Sequence, residues 1–158
     1  MHRPASAADE KDSAEELRAR ALRLLARREH SRRELARKLA SHAQSNEALE
    51  ALLDALAARK QLSDERFAEQ RAHMLARKYG SARIRNDLRA KGITEEAAAL
   101  AAPGGDDLVR AAAILRRRYR EPAASREERA KRARFLQGRG FSYDVIRRVL
   151  EPRDEETG

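Results

Sequence analysis

Apolar residues recur along most of the chain with a helical period of about 3.6 residues, in short stretches separated by polar or glycine-containing turns. Serine or threonine precedes most stretches, as expected of helix N-caps. At Ser13, Ser31 and Ser125 a glutamate follows three residues later, which is the capping-box pattern. The predicted starts are Ser13, Ser31, Ser45, Ser63, Ser81, Thr94, Ser125 and Ser142. Together with the glycine and proline stops, these signals predict about nine short helices and no β-strand.

One pattern occurs three times and begins at Leu39, Leu88 and Leu136, at intervals of 49 and 48 residues. A small turn residue lies four positions after the leucine, a helix cap six positions after it and an acid eight positions after it. Gly92 and Gly140 suit a left-handed turn, and the residue after each glycine is apolar. The first copy departs from the pattern, with Ala43 and Gln44 at these positions.

A period of about 48 residues with three helices in each copy predicts a tandem helical array. We place repeat 1 at residues 17–58, repeat 2 at 64–102 and repeat 3 at 106–150. We interpret residues 1–16 as a disordered acidic tail and residues 151–158 as a second tail. The predicted fold is therefore an all-α, elongated array of three three-helix repeats.

The 158 residues include 35 basic and 26 acidic side chains, a net charge of +9. Such a balance favours a polyanionic partner, most simply nucleic acid. The chain has no cysteine, which excludes disulfides and thiol chemistry. Its N-terminal residues lack the apolar segment of a signal peptide, and no apolar stretch is long enough to cross a membrane. We expect a cytoplasmic monomer that does not bind membranes.

Positive charge is densest in repeat 3, where residues 110–148 carry 13 basic and four acidic side chains. Five arginines there are candidates for contact with phosphates or with an acidic protein surface: Arg116, Arg117, Arg118, Arg132 and Arg134. Tyr119, beside the triplet, is the aromatic residue best placed for such a contact. A second basic group at a helix–turn–helix junction in repeat 1 adds Arg28, Arg32 and Arg33. The alternative for the repeat 3 group is a solvated helix face, and the alternative for the repeat 1 junction is the ordinary packing of two helices joined by a tight turn.

Four segments in order, with their spacing, resemble the RecX family. They are residues 21–35, residues 62–68 with their acidic turn before Arg66 and Phe67, residues 79–93 and residues 134–146. The resemblance extends over about residues 17–150. It implies three tandem three-helix repeats in a curved, extended array. It also implies binding to RecA and to the RecA–single-stranded DNA filament, inhibition of the RecA ATPase and of recombination, and no catalytic residues.

Two other functions compete with a RecA regulator. The first is a helix-turn-helix transcription factor, whose recognition helix would follow Ser31; that helix has no evident Asn or Gln base readers, although arginine can read guanine. The second is an enzyme, for which we find no paired carboxylates in a plausible cleft. The four histidines show no metal-ligand spacing, so we expect neither a metal nor a cofactor. Direct contact with DNA is left open.

Overall fold

The structure, a computed structural model, describes residues 10–151 and shows nine α-helices and no strand within them. This confirms the predicted all-α fold. The helices are α1 (Ala14–Arg27), α2 (Arg32–Leu39), α3 (Asn46–Ala58), α4 (Asp64–Leu75), α5 (Ser81–Ala90), α6 (Glu95–Ala101), α7 (Asp107–Arg118), α8 (Arg126–Gly138) and α9 (Tyr143–Leu150).

Side-chain caps define most helix starts, as the sequence indicates. Ser13 forms a complete capping box with Glu16 at the start of α1. Ser31 and Ser125 also accept the amide three residues on, but their glutamates do not reach back to the cap amide. Glu34 instead pairs with Arg28, and Glu128 accepts the amide of Ala124. The capping box therefore holds at Ser13 only, because nearby donors compete for the other two carboxylates.

Ser81 is not an N-cap, contrary to the prediction. It is the first residue of α5 and is buried, and its amide and hydroxyl both donate to the carboxylate of Asp107. The cap of α5 is thus a carboxylate 26 residues further along the chain. Local sequence could not reveal it, because the capping group comes from the next repeat.

The predicted disordered tail at residues 1–16 needs correction at its C-terminal end. Residues 1–9 lie outside the described residues, as do residues 152–158 of the second tail. Asp12 is buried and bonded to Arg20 at 2.7 Å, a hydrogen bond that holds the pKa of Asp12 below its ordinary value. Helix α1 then begins at Ala14. The folded chain therefore starts before residue 17, because its acids are used as a cap and as an ion-pair partner.

The chain divides into two compact units. The N-terminal unit comprises Met1–Gln70 with Ala90–Ile93. Its core is built from leucine and alanine on the inner faces of the first three helices and in the turns after α2 and α3: Leu17, Ala21, Leu35, Leu39, Ala43, Leu49, Leu53, Leu56 and Leu62. Such side chains pack at helical spacing without aromatic residues, which accounts for the low aromatic content of the chain.

The C-terminal unit comprises Arg71–Arg89 with Thr94–Gly158. Its core lies between α7, α8 and α9 and contains the buried residues Ala111, Ile114, Leu136, Phe141 and Ile146. Phe135 is only partly buried and packs against this core from the side. Of the three phenylalanines, Phe67 and Phe141 are buried, whereas Phe135 has a partly exposed ring.

The threefold sequence pattern has a structural counterpart. The anchoring leucines, Leu39, Leu88 and Leu136, are all completely buried. Gly92 and Gly140 have φ angles of 89° and 91°, the left-handed conformation that the pattern predicts. Close approach is a second reason for glycine at the latter site, because a Cβ on Gly140 would lie 2.8 Å from the backbone nitrogen of Arg83. The turns after α5 and α8 therefore need glycine for both conformation and space.

The start of the middle helix of a repeat is bonded to the following repeat at two places. In the N-terminal unit the amide of Arg32 donates to Asp64 at 2.7 Å, and the hydroxyl of Ser31 donates to the carbonyl of Lys91 at 2.9 Å. In the C-terminal unit Ser81 is bonded to Asp107, as described above, and the amide of Gly80 donates to the carbonyl of Arg139 at 2.7 Å.

These two junctions use one design. The first residue of the next repeat's first helix is an aspartate in both cases, Asp64 and Asp107, and it caps the preceding middle helix. The other hydrogen bond of each junction goes to a backbone carbonyl three residues after an anchoring leucine. These carbonyls are Lys91, after Leu88, and Arg139, after Leu136. Among residues 10–151, the start of α8 has no corresponding aspartate from a further repeat and is capped by Ser125.

Candidate functional site

The arginine triplet at the end of α7 separates onto two different surfaces. Helix α7 ends at Arg118, and basic side chains in a last turn are favoured by the negative end of the helix dipole. Arg117 and Arg118 line one groove, whereas Arg116 lines a different hollow. All three side chains are exposed. The sequence cluster is thus two sites, and their residues can be tested separately.

The groove, which we call the basic groove, has a volume of about 570 Å³ and lies within the C-terminal unit. The turn between α4 and α5, the second half of α7, and the last turn of α8 with its C-cap supply its walls. Five of its lining residues are basic and none is acidic; the lining is Arg77, Lys78, Tyr79, Ile114, Arg117, Arg118, Phe135 and Arg139. An uncompensated group of this kind is a strong local source of positive potential.

Aromatic rings hold the guanidinium groups around the basic groove. The guanidinium carbon of Arg139 lies 5.1 Å from the ring centre of Phe135 and 5.5 Å from that of Tyr79. Arg118 lies 5.4 Å from Phe135, and Arg83 lies 4.1 Å from Tyr79. Cation–π contacts restrict these side chains without neutralising their charge. The groups are therefore positioned before any anion arrives.

The basic residues of the groove form no ion pair with a carboxylate of residues 10–151. Within residues 10–151, no acidic side chain forms an ion pair with Arg117, Arg118 or Arg139, nor with Arg77 or Lys78. The one hydrogen bond of Arg117 goes to the carbonyl of Arg77 at 2.8 Å. Among the described residues, the positive charge of the basic groove is therefore not neutralised by a carboxylate.

The second surface, the mixed hollow, has a volume of about 400 Å³ and contains both signs of charge. Arg132 lies 4.4 Å from the ring centre of Tyr119, which in turn meets Phe135 edge to face at 6.1 Å. The hollow is lined by four arginines and by two glutamates: Arg116, Arg120, Arg129, Arg132, Glu121 and Glu151. Arg134 is exposed and lines neither surface. Tyr119 lies partly buried beneath Arg132.

The basic residues of repeat 1 are placed differently, because each has a protein partner. Arg28 pairs with Glu34 at 2.5 Å. Arg32 bridges Glu50 and Asp54 at 2.7 and 2.6 Å. The side chain of Arg33 passes so close to Gly92 that a Cβ there would lie 2.8 Å from the Cβ of Arg33. Arg28 and Arg32 are therefore paired with carboxylates, whereas Arg33 is exposed and contributes a packing contact.

A buried histidine lies beside this cluster. The Nδ1 of His30 donates to the carbonyl of Arg28 and its Nε2 accepts from Lys38, both at 3.0 Å. Burial, reinforced by the positive charges of Arg28 and Lys38, keeps the pKa of His30 below its ordinary value. Burial alone would raise the pKa of Glu34, but Arg28 and its other cationic neighbours lower it overall. His30 is therefore neutral in the folded protein at neutral pH and serves a structural purpose.

The basic groove includes residues that the sequence analysis did not select. Arg77, Lys78 and Arg139 are as central to it as the predicted Arg117 and Arg118. Charge counted within each repeat does not reveal this surface, because the groove combines the turn after α4 in repeat 2 with residues of repeat 3. The available signal was the placement of basic residues on either side of the glycine turns at Gly80 and Gly140.

The described part of the chain shows neither a metal-binding cluster nor a membrane-spanning helix. Among residues 10–151, no three His, Cys, Asp or Glu side chains are grouped closely enough to hold a metal ion. Over the same residues, no helix is both long and apolar enough to span a membrane.

Comparison with known families assigns most of the chain. The family models described as the first, second and third three-helix domains of RecX match residues 18–56, 63–101 and 106–150. A "Regulatory protein RecX" from Leptothrix cholodnii is 47% identical over 142 residues, which is 89% of this chain and 90% of that protein. One from Herbaspirillum seropedicae is 48% identical and covers 85% of this chain and 89% of its own.

Solved structures of RecX proteins share the fold. The crystal structure of RecX from Lactobacillus salivarius superposes with a TM-score of 0.76 at 23% identity, over 87% of this chain and 94% of that one. A second RecX structure gives 0.68 at 24% identity, over 85% and 73%. At these identities the likeness concerns the fold alone. The three matched domains and the close sequence relatives show that the chain belongs to the RecX family of regulatory proteins.

Proposed function

We propose that this chain binds RecA and the RecA–single-stranded DNA filament in the cytoplasm, and that it inhibits the ATPase and recombination activities of RecA. DNA repair would thereby be regulated by binding and not by catalysis. Membership of the RecX family of regulatory proteins carries the proposal. A protein that acts on a nucleoprotein filament needs a surface for a large anionic partner, and the uncompensated basic groove supplies one.

The decisive experiment measures ATP hydrolysis by the cognate RecA on single-stranded DNA while this protein is added. We expect sub-stoichiometric amounts to slow hydrolysis, because each bound copy restrains many RecA subunits of a filament. An unchanged rate at an equimolar amount would rule the proposal out. Sedimentation with RecA filaments, with and without DNA, then shows which of the two partners is bound.

The exposed arginines of repeat 3 are the proposed contact residues for the filament: Arg116, Arg117, Arg118, Arg132 and Arg134. Changing the triplet to glutamine removes three charges with little change in helix propensity. Filament affinity should fall and its salt dependence should flatten, since counterion release and screening both depend on these charges. Full affinity at about 0.15 M salt would move the contact to Arg28, Arg32 and Arg33, which rank second because they have protein partners.

No observation favours the helix-turn-helix transcription factor. In that class the N-terminal residues of the recognition helix enter the major groove. Here the start of α2 is bonded to the rest of its own unit, through Arg32 to Asp64 and through Ser31 to Lys91. Inserting it into DNA would break this junction. Selection of a palindromic duplex from random sequence, by a dimer of this chain, would reverse that conclusion.

A further inference from the structure

We propose that the basic groove binds the phosphate backbone of single-stranded DNA directly, without reading its bases. This inference rests on the proposed function in one respect, because the strand bound in the cell would be the single-stranded DNA of the RecA filament. The groove should also bind a free strand in the absence of RecA. It assigns the ligand to Arg77, Lys78, Arg117, Arg118 and Arg139.

The chemistry of the lining favours phosphate. Four of the five basic residues are arginines, whose planar guanidinium groups match phosphate oxygens with two parallel hydrogen bonds. The mixed hollow is also rich in arginine, but Glu121 and Glu151 line it and would repel a polyanion. The basic groove has no acid in its lining. Of the two surfaces, it is therefore the one suited to a continuous chain of negative charges.

The aromatic residues indicate how the strand is bound. Proteins that stack bases present free aromatic faces. Here each ring of the groove is already in contact with two guanidinium groups: Phe135 with Arg118 and Arg139, and Tyr79 with Arg83 and Arg139. The rings thus orient arginines and are not open platforms for bases. Binding should depend strongly on salt and hardly on base sequence.

Flexibility favours a single strand over a duplex. A duplex is stiff, with a persistence length of about 50 nm, so it brings only the few phosphates of its near side to a local basic surface. A single strand is flexible and can follow the walls of the groove. An acidic protein segment is the remaining alternative, and the experiment below includes it as a competitor.

The test measures binding of a fluorescently labelled oligothymidine by anisotropy, with no RecA present. The groove variant carries Arg117→Gln and Arg118→Gln. The matched control carries Arg120→Gln and Arg129→Gln, which removes the same charge but from the mixed hollow. At about 0.15 M salt we expect the groove variant to bind at least about tenfold more weakly than the control, with a salt slope lower by about 1.4, which is 0.7 for each lost phosphate contact.

Three further arms make the test specific. Far-UV circular dichroism and thermal unfolding establish that both variants are folded. The Arg117→Lys and Arg118→Lys variant should keep most of the salt slope, because its charge is retained. A mixed-sequence oligonucleotide should bind within about twofold of oligothymidine, because the bases are not read. A large base preference would overturn the phosphate mechanism.

Several outcomes would overturn the inference. They are equal weakening in the groove and control variants, undiminished binding by the groove variant, or displacement of the labelled strand by polyglutamate as readily as by unlabelled DNA at equal charge. The ATPase assay separates these failures from failure of the proposed function. If the wild-type protein slows RecA while the groove variant still binds DNA, only this inference is lost. If the groove binds DNA but RecA is unaffected, only the proposed function is lost.

Discussion

Repeats 1 and 3 both place arginines around helix ends, yet the two groups act differently. In repeat 1, Arg28 and Arg32 are paired with carboxylates and Arg33 packs over a glycine of the next repeat. In repeat 3, Arg117 and Arg118 line a groove without any acid and have no carboxylate partner within residues 10–151. Similar composition thus gives a folding element in one region and a charged surface in the other.

The difference comes from position within the repeats. The start of the middle helix forms a junction in repeats 1 and 2, through Ser31 and Ser81. Arg117 and Arg118 lie instead in the last turn of α7, outside these junctions. Charge counted along a repeat sequence therefore overstates the available charge in repeat 1.

Breaking the junction between repeats 2 and 3 should have the largest effect. Gly140→Ala places a methyl group against the backbone of Arg83 at a φ of 91°. The left-handed conformation and the overlap together should lower the free energy of unfolding by about 2–5 kcal/mol. Gly138→Ala is the control, since nothing lies within 4 Å of its added Cβ. Urea unfolding measures both, and equal stability of the two variants would contradict the role of this turn.

The two aspartates that cap middle helices should differ in importance. Asp107 is buried and bonded to Ser81 and Arg110, so Asp107→Ala should cost about 2–4 kcal/mol of stability. Asp64 is half-buried and accepts from the amide of Arg32, so Asp64→Ala should cost about 1 kcal/mol, as for an ordinary cap. Chemical denaturation compares them. A larger loss at Asp64 would show that burial does not set the strength of the junction.

Removing one arginine from repeat 1 should mainly lower the stability of the protein, whereas removing one from the basic groove should mainly weaken filament binding. Arg32→Gln removes ion pairs to two exposed acids and should cost about 0.5–1 kcal/mol of stability, because solvent screens such pairs. Arg117→Gln should change stability by less than about 0.5 kcal/mol but weaken filament binding. Thermal unfolding and filament sedimentation on the same two proteins give both readouts. The contrast fails if Arg32→Gln weakens binding more than Arg117→Gln does.

The smallest effect concerns the buried His30 of repeat 1. Its folded pKa lies below its ordinary value, so between those two values the unfolded chain binds more protons than the folded protein. The free energy of unfolding should therefore decrease as the pH falls below about 6.5, the ordinary histidine value. His30→Gln should flatten this dependence between pH 7.5 and 5, whereas the exposed His73→Gln should not. Unfolding of the three proteins at several pH values measures it, and identical slopes would show that His30 titrates normally.

Much of the fold follows from local sequence rules. The serine and threonine caps at Ser13, Ser45, Thr94 and Ser142 are formed as predicted, because each needs only its own first turn. The fully buried leucines of the threefold pattern were also predictable, since a repeated core position must be apolar in every copy. Gly92 and Gly140 follow from the same rule for left-handed turns.

The features of the junctions and of the basic groove that escaped prediction are long-range. Asp107 caps a helix 26 residues upstream, and no local pattern distinguishes it from the adjacent Asp106. The basic groove unites Arg77 with Arg139, and their proximity depends on how the turn at Gly80 meets the turn after α8. Proximity across a repeat boundary depends on packing, which spacing alone does not determine. The sequence therefore identified the charged region but not the residues that share one surface.

The N-terminal segment has a consequence for how the array could be extended. Asp12 donates its amide to the carbonyl of His42, and Lys11 reaches the carbonyl of Ser41 at 2.6 Å. The carbonyl of His42 corresponds to those of Lys91 and Arg139, which accept the junction bonds in the later repeats. The first helix of repeat 1 begins at Ala14, whereas the first helices of repeats 2 and 3 begin at an aspartate. The segment thus takes the place of a preceding repeat. A designer who fused an additional module ahead of repeat 1 would have to delete this segment and introduce Ala14→Asp to create an acceptor.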